Sequence, residues 1–207
     1  MGNGRTSSYA QRALELNEDS ADAHKWLAIS TGSRGEFLKI NEKIQNGYLF
    51  KEHIDRAVQI NPADASLYHL LGRFCFEVSQ LSWVERRVAS TLFSEPPSST
   101  VEEALQHFLS AENKGKPFIE NRLFISKCYI SLSDYPKAAH WLTLASQLSA
   151  MTSNDEKAQV EVLELLPKYR NRSDGVGHRE QDGAINSPLL IGAGKYRIGI
   201  GDLNKER

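Results

Sequence analysis

The stretch YHLLGRFC at residues 68–75 decides the fold, because it sets an aromatic residue, a leucine and a glycine at fixed helical spacings, with Cys75 in the last place. The same frame recurs in weaker form at residues 24–31 and 122–129. Each copy has a small residue at its centre, namely Ala28, Gly72 or Ser126. Small residues let a partner helix approach closely, while larger side chains fill the remaining space. The chain therefore predicts repeated pairs of packed helices.

A second helix of distinct pattern follows each of these frames. It carries an alanine or aromatic residue, a large apolar residue four positions later and an alanine three positions after that, at 50–57, 104–111 and 138–145. First and second helices in this order are typical of the tetratricopeptide repeat. We therefore expect an all-α solenoid of tetratricopeptide-like helix pairs, with three full pairs, a leading half-repeat at 9–16 and a closing helix.

Two insertions interrupt the repeat. The marker alanines lie at positions 13, 57, 111 and 145, so their intervals are 44, 54 and 34 residues, and only the last equals the usual period. The first excess falls within 30–47 and the second within 79–99. The apolar residues of the second excess are Trp83, Val84, Val88, Leu92 and Phe93. Their spacing predicts an extra helix, which the proline pair at 96–97 would end.

The composition changes near the end of the chain. A stripe of Val160, Leu163 and Leu166, with Val162, predicts the closing helix. Seven of the 14 glycines lie in the last 37 residues, where no helical period survives. We therefore expect three regions. These are a flexible N-terminus at 1–8, a tetratricopeptide-like domain at 9–169 and a Gly-rich, disordered tail at 170–207.

Charge and cysteine content exclude several classes of protein. The 207 residues include 25 basic and 26 acidic side chains, so bulk positive charge cannot hold the protein on nucleic acid, and we predict no nucleic-acid partner. Two cysteines, Cys75 and Cys128, are too few for a disulfide scaffold and suit a reducing compartment. No apolar run approaches 18 residues, so we predict no transmembrane segment. These features favour a cytoplasmic protein.

No catalytic or metal-binding pattern is visible. The histidines never pair at i,i+4 and never neighbour a cysteine; they are His24, His53, His69, His107, His140 and His178. The segment 192–195 (GAGK) lacks the first glycine, the hydroxyl residue and the preceding strand of a phosphate-binding loop. Cys75 and Cys128 fall in helix-packing frames, where a thiol is usually inert. We predict no cofactor, no metal and no enzymatic activity.

Four segments together resemble the regulator of microtubule dynamics family: AHKWLAI at 23–29, LFKEHIDRAVQINP at 49–62, LLGRFCFEVSQLSW at 70–83 and ISKCYISL at 125–132. The resemblance implies a helical, non-enzymatic domain that associates with microtubules and spindle poles. It also implies cytoplasmic localisation on the cytoskeleton. Members of this family often carry an N-terminal membrane anchor and a coiled coil, which we do not find here. The chain is expected to be a shortened form without the anchor.

The microtubule hypothesis requires a basic contact surface, since the outer face of tubulin is acidic. The candidate contact residues are Arg73, Arg86, Arg87 and Lys127. Arg73 and Lys127 follow the small packing positions of their first helices, which line the concave groove of such arrays. Trp83 beside Arg86 would form a binding hot spot if it were exposed, although a tryptophan is more often in the core. Further basic candidates are Lys114, Lys116, Lys168, Arg170 and Arg172.

Two alternatives remain open at the level of the sequence. The protein could be a peptide- or protein-binding adaptor at a membrane contact site, with the ligand in the concave groove. In addition, residues 1–6 (MGNGRT) match the acceptor pattern for N-myristoylation, which makes Gly2 a candidate lipidation site. One myristoyl chain would give only marginal, reversible membrane binding.

Overall fold

A computed structural model describes residues 3–32, 39–92 and 98–174, and these residues form nine helices and no strand. In chain order the helices are α1 (Asn3–Leu16), α2 (Ala21–Gly32), α3 (Ile40–Ile60), α4 (Ala65–Ser79), α5 (Trp83–Leu92), α6 (Val101–Lys114), α7 (Ile119–Ser131), α8 (Tyr135–Ser146) and α9 (Ser153–Asp174). The all-α prediction is confirmed. Within the described ranges, none of the helices combines the length and the apolar character that a membrane crossing needs.

The helices are arranged as a row of pairs. The pairs are α2 with α3, α4 with α6, and α7 with α8, while α1 packs on α2 and α9 packs on α7 and α8. Three pairs with a leading and a closing helix are what the sequence predicts. The inserted helix α5 lies between α4 and α6 in the chain and packs against α3. The assignment of the pairs to the tetratricopeptide type stays a prediction.

Small residues at the crossing points explain why the pairs pack so closely. A Cβ atom added to Gly72 would lie 2.6 Å from the ring of Phe108, so α4 and α6 can meet only if this position has no side chain. The second helices contribute three fully buried alanines, Ala57, Ala111 and Ala145. Overpacking such a contact typically costs about 1–3 kcal/mol. The predicted role of Gly72 is therefore confirmed.

Helix boundaries follow from local capping. Thr100 and Glu103 form a capping box at the start of α6, in which each side chain accepts a hydrogen bond from the other residue's backbone N–H. Asp64 caps α4 and Asp134 caps α8 in the same position. These caps satisfy N–H groups that have no partner inside the helix.

Two helix boundaries differ from the prediction. Helix α1 begins at Asn3 instead of residue 9, and α9 continues to Asp174 instead of ending at 169. The extension of α9 has a local cause, since Tyr169 stacks on Tyr135 and the guanidinium of Arg172 lies 4.9 Å from the Tyr135 ring centre. Gly2, the proline pair at 96–97 and the predicted tail from 175 onward lie outside the described residues.

The buried stripe of α9 agrees with the prediction at Val162 and Leu166, which pack on the core, and differs from it at Val160 and Leu163. Val162 is fully buried and Ala158 nearly so, whereas Val160 and Leu163 are 58% and 56% exposed. The small Ala158 and Val162 let α9 lie close against α7 and α8. There it contacts Ile119, Leu123 and Leu142. The side of α9 that packs on the array thus combines the small residues Ala158 and Val162 with Leu165 and Leu166.

Candidate functional site

The predicted contact residues fall into two groups in different surroundings. Polar and charged side chains of α4, α7 and α9 form the first group, which we call the bridging network: His69, Arg73, Glu77, Glu120, Lys127 and Glu161. The outward side of the inserted helix carries the second group, which we call the α5 face: Trp83, Arg86 and Arg87. Sequence spacing alone gives no sign of this division.

Arg73 is held inside the bridging network and is only 9% exposed. Its guanidinium donates to the carboxylate of Glu120 on α7, and a second nitrogen lies 3.7 Å from Glu77 Oε1 on α4 itself. The guanidinium carbon lies 4.4 Å from the ring centre of Phe124, which is within the range of a cation–π contact. Arg73 thus joins α4 to α7.

Lys127 plays the corresponding part between α7 and α9. Its Nζ lies 2.7 Å from Glu161 Oε1 and 4.6 Å from the ring centre of Phe124. Burial lowers the pKa of Lys127, and the neighbouring carboxylate of Glu161 offsets part of that effect. Lys127 and Arg73 therefore contact the same aromatic ring while each is paired with a carboxylate from another helix.

The electrostatics of the network favour the paired state. Burial by itself raises the pKa of Glu120, but His69, Arg73 and Lys127 outweigh it and lower that pKa to about 2. His69 aside, the network contains two cations and three carboxylates. It therefore offers no excess positive charge to an acidic partner. Arg73 and Lys127 therefore form their ion pairs with carboxylates of the same chain.

The α5 face presents its side chains to solvent. Trp83 is 70% exposed, which corrects the expectation that this tryptophan belongs to the core. The guanidinium carbon of Arg87, one helical turn later, lies 5.6 Å from the Trp83 ring centre. Helix α5 is attached mainly through the buried Ala89 and the half-buried Val88 on its opposite side. Within the described residues no carboxylate pairs with Arg86 or Arg87.

Arg86 fixes the orientation of this face. Its guanidinium donates to the carbonyl oxygens of Leu81, Ser79 and Val78 at 3.1, 2.9 and 3.4 Å. These oxygens lie at and just beyond the C-terminal end of α4, where a helix has carbonyl groups without internal partners. Arg86 thus attaches α5 to the end of α4 through these hydrogen bonds, while Trp83 and Arg87 on the same helix are exposed to solvent.

The two thiols lie in surroundings that disfavour the reactive thiolate form. Both cysteines are buried, and burial raises the pKa of Cys75 and raises that of Cys128 to about 12. Thiols with raised pKa values stay protonated at neutral pH and react poorly. Across residues 3–32, 39–92 and 98–174, no group of three or more His, Cys, Asp or Glu side chains is placed to hold a metal ion.

One polar contact could not be found from the sequence. His24 and His53 are 29 positions apart, and their Nδ1 atoms lie 2.9 Å from each other between α2 and α3. His24 Nε2 lies 3.0 Å from the carbonyl oxygen of Glu18, which can only accept, so this nitrogen carries the proton. In the neutral pair His53 then donates from Nδ1. The contact joins α2 to α3. It forms only once these two helices pack together, so no local sequence pattern predicts it.

Comparison with known proteins gives a consistent set of relatives. The family described as Regulator of microtubule dynamics protein 1-3 matches residues 5–170. Regulator of microtubule dynamics protein 3 of Xenopus laevis is 46% identical over 159 residues, which cover 76% of this chain and 34% of that protein. Protein 1 of Bos taurus is 43% identical over 166 residues, covering 80% and 52%. Protein 1 of Homo sapiens is 40% identical over 166 residues, covering 80% and 53%.

The matched region includes both the bridging network and the α5 face. The chain spans between about a third and about half of the length of these relatives. The similarity therefore concerns the array of helix pairs.

Proposed function

This chain belongs to the regulator of microtubule dynamics family, and from that premise we propose that it is a non-catalytic protein that binds microtubules directly through the α5 face. The names of the relatives connect the family with microtubule dynamics. The helix pairs serve as the scaffold that holds α5 in place. Recognition by surface contact, with no chemical step, is the proposed activity.

The observation that carries this proposal is the contrast between the two basic groups. Arg73 and Lys127 are paired with carboxylates of other helices, whereas Arg87 projects from α5 beside an exposed tryptophan. Tryptophan and arginine dominate the binding energy of many protein interfaces, where truncating a hot-spot residue costs about 2 kcal/mol or more. An exposed pair of this kind is what a contact with an acidic protein surface requires.

The three residues of the α5 face have different parts in the proposed contact. Trp83 supplies apolar area, and Arg87 supplies a charge that is free to pair with a tubulin carboxylate. Arg86 is a positioning residue, because its Nε and Nη2 donate to the carbonyl oxygens of Leu81, Val78 and Ser79 at the end of α4 and just beyond it. Electrostatic attraction of this kind speeds association and weakens as salt is added.

The cellular setting is a further part of the proposal. We propose that the protein acts in the cytoplasm, on spindle microtubules and at spindle poles, as the family resemblance implies. Its proposed function there is to bind tubulin in the microtubule lattice.

Co-sedimentation with stabilised microtubules tests direct binding. The full chain should pellet with microtubules at about 50 mM salt and should be released between about 100 and 200 mM, as expected for exposed ion pairs. Microtubules whose acidic C-terminal tails have been removed by subtilisin serve as the control and should pellet less of the chain. If the chain stays in the supernatant at the lowest salt, direct binding is rejected.

The adaptor hypothesis has less support from the same geometry. A ligand that reached Arg73 or Lys127 would first have to displace Glu120 or Glu161. Breaking such partly buried pairs is costly, because each carboxylate would be left without its partner.

A further inference from the structure

We propose that Ser90 is a phosphorylation site for an arginine-directed serine/threonine kinase, and that a phosphate there switches the α5 face off. The switch rests on the proposed function, because it acts on the same contact surface. The modification itself does not, because it depends only on the sequence and exposure of α5.

The sequence around Ser90 has the charge pattern that such kinases read. Arg87 stands three residues before the serine and Arg86 four residues before it, in the segment RRVAS at 86–90. Kinases distinguish substrates by charge patterns, and acidic pockets on the enzyme bind arginines at such positions. Thr91 lacks an arginine three residues before it, so the pattern selects Ser90 over its neighbour.

The side chain of Ser90 is placed to receive a phosphate and to bring it to the arginines. Ser90 and Thr91 are exposed and line a shallow recess together with the three residues of the α5 face. The Ser90 hydroxyl donates to the carbonyl oxygen of Arg86 at 2.8 Å, within its own helix. Arg87 lies three residues before Ser90 on a helix, where side chains are neighbours. A phosphate on Ser90 Oγ is therefore within reach of the Arg87 guanidinium.

Helix α5 is a segment that can unfold locally and so become accessible to a kinase. It has ten residues, and Ala89 is the buried one among the apolar side chains described for it. Isolated helices shorter than about 12–15 residues are marginal in water, so α5 depends on its contacts with α3 and α4. Segments with few buried apolar contacts open locally at low free energy. Local opening lets an enzyme bind residues 86–91 in an extended form.

The chemical step is an ordinary phosphoryl transfer. Ser90 Oγ attacks the γ-phosphorus of ATP, an O–P bond forms, the bond between the β- and γ-phosphates breaks, and ADP leaves. The hydroxyl proton passes to the base of the kinase. The product carries a charge of about −1.5 to −2 at neutral pH.

That charge acts on the α5 face in two ways. It pairs with Arg87 and so removes the free positive charge of the face. It also competes with the carbonyl oxygens of Ser79 and Leu81 for Arg86 and so weakens the attachment of α5 to the end of α4. Ser90 is in the last turn of α5, where negative charge opposes the helix dipole. Phosphorylation should therefore both neutralise and destabilise the contact helix.

The first experiment tests the modification. The full chain is incubated with ATP and the catalytic subunit of cAMP-dependent protein kinase, and the modified residue is located by mass spectrometry. The wild type and Thr91→Ala should each take one phosphate at Ser90. Ser90→Ala should take none on α5. Arg87→Gln should be phosphorylated at least about tenfold more slowly than the wild type, since a recognised charge is lost. Phosphate on Thr91, or no phosphate on α5, would overturn the assignment.

The second experiment tests the switch. Phosphorylated wild type should bind microtubules about tenfold more weakly than the untreated protein, in line with the loss of a hot-spot charge. Kinase treatment should leave Ser90→Ala at its own untreated value. Equal binding by the treated and untreated wild type contradicts the switch.

A third readout separates the switch from the proposed function. If the untreated chain does not pellet at all, direct microtubule binding has failed, and the switch is then judged by amide exchange across residues 83–92. Exchange there should be faster in the phosphorylated protein than in the untreated one and unchanged in treated Ser90→Ala. Identical exchange in both forms means that the phosphate does not act on α5.

Discussion

Two pairs of basic residues carry the same charge in different surroundings. Arg73 and Lys127 lie on the first helices of their pairs, and Arg86 and Arg87 lie on the inserted helix. The first two are paired with carboxylates from a neighbouring helix and are nearly buried. The second two stand on a helix that packs through one narrow side, so their guanidinium groups meet backbone oxygens or solvent. The comparison teaches that the elements packed around a basic residue decide whether its charge is available to a partner.

The largest effect that separates the two groups is on stability. Arg73→Ala should lower the free energy of unfolding by about 2–3 kcal/mol, because Glu120 and Glu77 lose their common partner in a largely buried site. Arg87→Ala is the matched control and should change it by less than about 0.5 kcal/mol. Urea unfolding followed by circular dichroism measures both. Equal losses in the two variants would mean that the groups do not differ as described.

A pH series sharpens the same comparison. The folded pKa of Glu120 is about 2, below its ordinary value of 4.5, so the unfolded chain takes up the proton at higher pH than the folded protein. The stabilisation is therefore fully present above about pH 4.5 and is lost as the pH falls toward 2. The free energy of unfolding in urea should fall less steeply over this range in Glu120→Gln than in the wild type.

The control for that series is an exposed carboxylate on α9, Glu164. Glu164→Gln should follow the wild-type curve. If Glu120→Gln also follows it, the contacts of Glu120 with His69 and Arg73 do not stabilise the fold in the way described.

Arg86 lies between the two groups, and its removal should have an intermediate effect. Arg86→Ala deletes the donors to the carbonyl oxygens of Ser79 and Leu81 and should cost about 1 kcal/mol, the usual net value of such hydrogen bonds. The loss should be local, with faster amide exchange across residues 83–92 than in Arg87→Ala. Unchanged exchange in Arg86→Ala would show that these hydrogen bonds do not hold α5.

The order of the helix pairs was predictable because it depends on small residues at fixed spacings. Gly72 and the alanines at 57, 111 and 145 each belong to a short pattern that recurs along the chain, and the structure buries these alanines and places Gly72 against Phe108. The extra helix at Trp83 was predictable in the same way, from apolar spacing within an insertion. Each of these patterns is short and local in the chain, although the helices that they bring together are far apart in it.

The partners and the burial of individual side chains were not predictable from such spacing. Arg73 meets Glu120, which is 47 positions away, and no periodicity specifies that pairing. Of the four apolar residues predicted to line α9, Val162 and Leu166 pack on the core, while Val160 and Leu163 are exposed, and the spacing of the four does not tell the two outcomes apart. Both outcomes depend on the distance between helices, which the sequence encodes only through the whole set of contacts.

The most direct test of the account compares two double variants in the microtubule co-sedimentation assay. Trp83→Ala with Arg87→Gln removes the α5 face, and Arg73→Gln with Glu120→Gln removes an ion pair of the bridging network without leaving a lone charge between the two. We predict that the first weakens binding about tenfold or more while the second binds like the wild type. Normal binding by the α5 variant together with loss of binding by the network variant would contradict the account.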